Sequence, residues 1–225
     1  MTGGPILAID TSTTLAVVAL GDDRGSLIAQ NPWVAGHRHG EELLPRIGRL
    51  LEGSRVELRE LGAIVVGTGP GAFTGLRVGV ATAKALAHAL GRPIVGVSSA
   101  EALLAAAAGG DANERLVLLL PAGPSDRVVA RRGGAPELLP GGVDPVVEAG
   151  ETVVAVDLAD RAPANAVALG ERARAGLAAA LLTIGAARLA AGDADDLARL
   201  VPEYVTLPRG VRASSGEVAW SRDPR

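Results

Sequence analysis

Gly67-Thr68-Gly69-Pro70-Gly71-Ala72-Phe73-Thr74-Gly75-Leu76-Arg77-Val78-Gly79 lies between an apolar run at 61–66 and an Ala- and Val-rich stretch at 80–90. The run reads as a buried strand and the stretch as a helix. A glycine-rich turn from strand to helix suggests phosphate binding, because the amides at a helix start attract anions. The details argue otherwise. G-x-G-x-x-G fails in both frames, since Ala72 and Thr74 stand where the third glycine is needed. The G-x-x-x-x-G-K-[ST] pattern fails too, because Leu76 and Arg77 follow Gly75. The glycines therefore need another explanation.

The following helix supplies a candidate. Gly75, Gly79, Ala83 and Ala87 recur every four residues and line one side of it. Such a ridge lets another backbone come close, and Leu76, Val80 and Leu90 flank it with apolar area. Periodicity alone leaves the neighbour open: the helix's own sheet or a second chain.

Working outward, Ile6-Leu7-Ala8-Ile9 reads as a strand ending at the polar turn Asp10-Thr11-Ser12-Thr13-Thr14. Further strands are expected at 15–20 and 26–31, joined by a hairpin turn at 21–25. Residues 40–51 have helical spacing, with Leu43, Leu44, Ile47, Leu50 and Leu51 on one face. Pro45 should bend that helix or mark a late start, and Gly53 should end it. A strand at 93–97 and a helix at 100–108 follow, the latter capped by Ser98 or Ser99. The order β-β-β-α-β-α-β-α implies an α/β sheet opened by an antiparallel meander. Beyond Gly109-Gly110, strands are expected at 116–120, 128–130 and 153–156, a loop at 133–145, and a helical region at 171–191 broken by Gly176 and Gly185. The tail from 208 is polar.

With 225 residues the chain suits one large domain or two lobes. Hydrophobic residues make up 48% but aromatics only 2%, so the core must be Ala, Val, Leu and Ile. A net charge of −3, with Lys84 the sole lysine, provides no global field for nucleic acid. The lack of cysteine excludes disulfides, thiolate metal sites and a cysteine nucleophile. No basic segment precedes an apolar signal core, and no uninterrupted apolar run is long enough to span a bilayer, so a soluble cytoplasmic protein is expected.

Candidate chemistry is sparse. Asp10 before a hydroxyl-rich turn is where actin-like ATPases and sugar kinases hold a phosphate hairpin, but the glycine needed after the aspartate is missing. The second-lobe candidate, Val156-Asp157-Leu158-Ala159-Asp160, also has no glycine. The hydroxyls are expected to satisfy a tight turn instead. His37 and His39 are two apart and His88 is distant, which does not fit a helical metal pair; His37 with Glu41 would supply only two ligands. No G-x-S-x-G elbow occurs.

Ile9-Asp10-Thr11-Ser12, His39-Gly40-Glu41-Glu42-Leu43-Leu44-Pro45 and the glycine motif from Gly69 to Gly79 together resemble the TsaB (YeaZ) family, over roughly residues 5–108. Beyond that the likeness thins. Pro121-Ala122-Gly123-Pro124-Ser125-Asp126-Arg127-Val128 stands where the family often carries Asp-Ala-Arg, and Thr206 stands where an arginine usually follows Pro202-Glu203-Tyr204. The resemblance implies an α/β fold of the actin-like, Hsp70 and sugar-kinase (ASKHA, RNase H-like) class, with an N-terminal lobe at 1–108, a reduced second lobe at 109–207 and a tail at 208–225. It implies a non-catalytic role, without cofactor or metal, in making N6-threonylcarbamoyladenosine at position 37 of tRNAs that read codons starting with A. Its partner would be TsaD, which carries the metal and transfers the threonylcarbamoyl group. TsaE would join that pair, tRNA would be met only through the complex, and TsaC-type enzymes would make the adenylate. The family's pairing surface is a bundle of the first two helices, here 40–51 and 74–90. That makes Leu43, Leu44, Ile47, Leu51, Gly75, Leu76, Gly79, Val80, Ala83 and Ala87 the expected interface, usable for a homodimer when TsaD is absent. Arg77 and Lys84 are expected to be surface charges. The alternatives from other classes are a self-sufficient actin-like ATPase or kinase and a metallopeptidase.

Overall fold

The computed structural model describes residues 3–36, 38–111 and 114–205, with only the backbone at His39. The first sheet holds β1 (Ile6–Asp10), β2 (Leu15–Gly21), β3 (Leu27–Val34), β4 (Ala63–Gly67) and β5 (Ile94–Val97), in the order β3-β2-β1-β4-β5. β1, β2 and β3 pair antiparallel, whereas β4 and β5 run parallel to β1. Helices α1 (His39–Ser54), α2 (Phe73–Leu90) and α3 (Ser99–Ala108) complete the first half. The second sheet has the order β8-β7-β6-β9, from β6 (Leu116–Pro121), β7 (Arg127–Arg131), β8 (Glu137–Leu139) and β9 (Thr152–Ala155), and α4 (Ala164–Ala190) closes the chain's regular structure.

Alternation along the strands sorts the core into layers. Leu7, Ile9, Val18, Leu20, Ile64 and Val66 face α1 and α2 and meet Leu43, Ile47, Leu50, Val80, Ala83 and Ala87. Ile6, Ala8, Val17, Val65, Val95 and Val97 point the other way, onto Leu103 and Leu104 of α3 and Leu177, Leu181 and Leu182 of α4. The far side of those two helices carries Leu116, Leu118, Leu120, Val128 and Val154 of the second sheet. One core therefore continues across Gly109-Gly110, and the boundary at 108 divides chain segments rather than cores.

Several local expectations are corrected. α4 is one unbroken helix, because its glycines are sites of close approach rather than breaks. A Cβ on Gly185 would overlap Val65, one on Gly170 would overlap the Ala155 carbonyl, and one on Gly176 would lie 3.0 Å from Ala106 Cβ. α4 is the one helix among the described residues long and apolar enough to cross a membrane, and it is packed between the two sheets. α1 runs through Pro45 and past Gly53, and is stopped by Arg55 in the left-handed region (φ 55°), whose N–H donates to Glu52 O. β8 forms inside the Gly- and Pro-rich stretch read as loop, as a short strand on β7. α3 starts as read, with Ser98 Oγ accepting from Glu101 N at 3.5 Å. The tail from 208, Thr206 and His37 lie outside the described residues.

Candidate functional site

The glycine motif and the turn after β1 are one packed unit. Asp10 is fully buried, and its carboxylate accepts from Ser12 N (2.8 Å), Ser12 Oγ (2.6 Å) and Ser99 Oγ (2.6 Å). Burial pushes the Asp10 carboxyl up from its ordinary value, against the lowering effect of those hydrogen bonds. Thr11 Oγ1 donates to Gly75 O at 2.7 Å, and Ala72 N donates to Ser12 O at 2.7 Å. The glycines answer this geometry one by one. A Cβ on Gly67 would overlap the Asp10 carboxylate, one on Gly71 would overlap Ser12 O, and one on Gly79 would overlap Thr11 Oγ1. The motif is thus the seat of the Asp10–Thr14 turn; Ser12 satisfies Asp10 locally, as a tight turn would, while Thr11 is paired with the motif itself and Ser99 of α3 completes Asp10.

Across the cleft, Asp157 of the second lobe reaches the end of that turn. Its carboxylate accepts from Thr14 N (2.7 Å), Thr14 Oγ1 (2.6 Å) and Arg174 Nη1 (2.8 Å). No local pattern signals this contact, because 143 residues separate Asp157 from Thr14.

The ten expected interface residues divide unevenly. Leu43, Ile47, Leu51, Gly75, Leu76, Gly79, Val80, Ala83 and Ala87 are buried inside this chain, and Leu44 is 57% exposed. The ridge is corrected to an internal packing device: it faces the chain's own sheet and the Asp10 turn. The outer side of α1 instead presents Gly40, Leu44 and Gly48, and that of α2 presents Ala81, Ala85 and Ala89. Nothing lies within 4 Å of a Cβ built on Gly40 or Gly48. These rows also repeat every four residues, and that spacing was the available signal.

A strap from Asp195 to Val205 crosses the same half of the molecule. Asp195 N donates to Ile94 O and Glu203 N to Thr68 O, while Lys84 Nζ donates to Leu200 O at 2.9 Å. Arg77 stacks 3.8 Å above the Phe73 ring and donates to Tyr204 Oη at 3.0 Å, and the two rings stand 5.0 Å apart. Lys84 and Arg77 therefore hold the strap rather than standing free, which corrects their reading as simple surface charges. Burial, reinforced by nearby Glu101, pushes the Glu203 carboxyl up. Among the described residues no group of three His, Asp or Glu side chains is arranged to hold a metal.

Comparison with known proteins gives this architecture a family. Residues 28–198 match the family model described as TsaD, tRNA N6-adenosine threonylcarbamoyltransferase. The chain is 42% identical over 101 residues to the tRNA threonylcarbamoyladenosine biosynthesis protein TsaB of Bacillus subtilis, covering 44% of this chain and 43% of that one. It is 38% identical over 94 residues to the Escherichia coli protein of the same name, covering 42% and 40%. The chain thus spans less than half the length of the curated relatives it matches. The solved structure of YeaZ from Pseudomonas aeruginosa superposes with a TM-score of 0.69 at 26% identity, over 89% of this chain and 99% of that one. The chain accordingly shares the α/β fold of that YeaZ structure, with α3 and α4 between its two sheets and α1 and α2 on the outer face of the first. The chain belongs to the TsaD family, within its TsaB/YeaZ group.

Proposed function

We propose that this chain is a non-catalytic partner of TsaD in the threonylcarbamoylation of adenosine 37 in tRNAs that read codons starting with A. The observation that carries the reading is the contrast between the two faces of α1 and α2. The inner face is filled by the chain's own core, while the outer face is a bare row of Gly, Ala and Leu44 that costs little to desolvate and admits a close helix. The closed Asp10 turn supports it further, because the buried Asp10 carboxylate is already held by Ser12 and Ser99. In this reading the interface comprises Gly40, Leu44, Gly48, Ala81, Ala85 and Ala89. TsaE joins through the pair, tRNA is met only in the complex, and the same face forms a homodimer when TsaD is missing.

Size-exclusion chromatography with light scattering, on the chain alone and mixed with TsaD from the same organism, tests it. A one-to-one species is expected with the unmodified chain. Ala85→Arg and Leu44→Asp should lose that species while melting at an unchanged temperature, since both positions are exposed. Pairing undiminished in both variants would refute this face.

A further inference from the structure

Both edges of the first sheet are guarded, and by different means. The β3 edge carries Pro32, which has no N–H to offer a further strand. At the β5 edge the guard comes from a distant part of the chain. Pro93 O accepts from Ile64 N and Val97 O from Thr68 N, so positions 93, 95 and 97 turn to β4 while Ile94 and Gly96 turn outward. The strap and α4 take up those outward groups. Asp195 N donates to Ile94 O at 2.8 Å, Gly96 N to Asp195 Oδ2 at 2.7 Å, and Arg188 Nη1 to Gly96 O at 2.6 Å. Arg188 also donates to Asp193 Oδ2 at 2.6 Å and lies 3.3 Å from Asp195 Oδ2, which ties the strap's start to the last turn of α4. Leu200 folds down over the same strand: a Cβ on Gly96 would lie 2.5 Å from its Cδ1. Asp195 thus occupies the edge with its amide and its carboxylate, where an added strand would place an N–H and a C=O.

We propose that the β5 edge is a pairing surface for a second copy of this chain, held shut by the strap. The outward groups of Ile94 and Gly96 are self-complementary in the antiparallel sense. With a two-fold axis through Val95, Ile94 of one copy faces Gly96 of the other, and each such pair exchanges both N–H···O=C bonds. Gly96 also brings no side chain against the approaching strand. A second copy is the occupant this geometry specifies, because its own β5 presents the same groups at the same two-residue spacing. Opening moves only the start of the strap, since Lys84 Nζ on Leu200 O and Glu203 N on Thr68 O tie down the rest. The inference does not rest on the TsaD reading, because it uses the sheet edge and not the outer face of α1 and α2.

Asp195→Pro tests it, because proline removes the edge-capping amide and carboxylate together, and Arg188→Ala is added to free Gly96 O. Both changes are made in the Leu44→Asp background, so that no dimer through α1 and α2 enters the result. Size-exclusion chromatography with light scattering should show the mass doubled relative to Leu44→Asp alone. Hydrogen exchange should show the Gly96 amide protected in that dimer, where Ile94 O of the second copy accepts from it. A chain that stays monomeric across the concentration range overturns the proposal and leaves the strap as a packing element. A dimer whose Gly96 amide exchanges freely overturns it too, because the contact then lies elsewhere. Should this chain not melt cooperatively, Asp195→Ala with Arg188→Ala, which leaves the strap's backbone intact, is judged by the same two readouts.

Discussion

Gly79→Ala isolates the role of the small-residue ridge. The new Cβ would overlap Thr11 Oγ1, a hydroxyl on a residue 1% exposed, which already donates to Gly75 O at 2.7 Å. Forcing a methyl into that contact costs about 1–3 kcal/mol in overpacking. Displacing the hydroxyl from its acceptor adds roughly 1–1.5 kcal/mol. Replacing a mid-helix glycine by alanine returns about 1 kcal/mol. The net loss is roughly 1–3.5 kcal/mol, a fall in melting temperature of about 2–14 °C for a chain of this size, read by circular dichroism. The Thr11→Ala background then separates the causes. Without Oγ1, the nearest Thr11 atom to the new methyl is Cβ at 3.4 Å, an ordinary contact. Gly79→Ala should be neutral or stabilising there, so the double-mutant cycle should show a coupling of at least about 2 kcal/mol. An unchanged melting temperature for Gly79→Ala in the native background would refute the inward assignment, as would additive effects. The same variant, refolded at low temperature, should still pair with TsaD, because the ridge is not the proposed contact.

Three further outcomes are expected. Gly48→Ala should raise stability by about 0.5–1 kcal/mol in a thermal melt, since its Cβ meets nothing and the residue is helical; Gly48→Arg should keep that stability and lose TsaD in the light-scattering assay. Arg55→Gly should stabilise by a similar amount, because Arg55 caps α1 with φ 55°; denaturant titration reads it, and a loss would mean that the Arg55 side chain holds something else. Glu151 is held at a pKa of about 2, below its ordinary 4.5, chiefly by the Arg131 side chain and then by the Glu148 amide. A depressed carboxylate contributes stability above its unfolded pKa and loses it as pH falls through the folded one, so the loss should spread from about pH 4.5 down to 2. Glu151→Gln should lower stability at neutral pH and flatten the acid limb in that window; an unaltered limb would remove the ion pair from the account.

The layer order was legible because it rests on local signals. Apolar runs such as Ile6–Ile9 and 61–66, broken by polar or glycine turns, mark strands buried on both sides. Ser98 before an Ala- and Leu-rich stretch marks a helix start. β8 was not legible, because a three-residue edge strand among Gly and Pro has no periodicity to read. Gly176 and Gly185 misled for a related reason. Glycine lowers helix propensity, and only the neighbours Ala106 and Val65 supply the packing that outweighs it.

Residue order alone implies that α2 approaches something closely and that Asp10 ends a strand at a polar turn with no phosphate glycine. It implies too that neither phosphate loop is complete. Which row of α2 faces inward is set by packing, since Gly75-Gly79-Ala83-Ala87 and Ala81-Ala85-Ala89 share one four-residue spacing. Only the fold brought Thr11 to Gly75 across 64 residues, and Asp157 to Thr14 across 143. Periodicity is a property of one element. Burial and hydrogen-bond pairing depend on which other elements the chain returns to it, and no local pattern encodes that return.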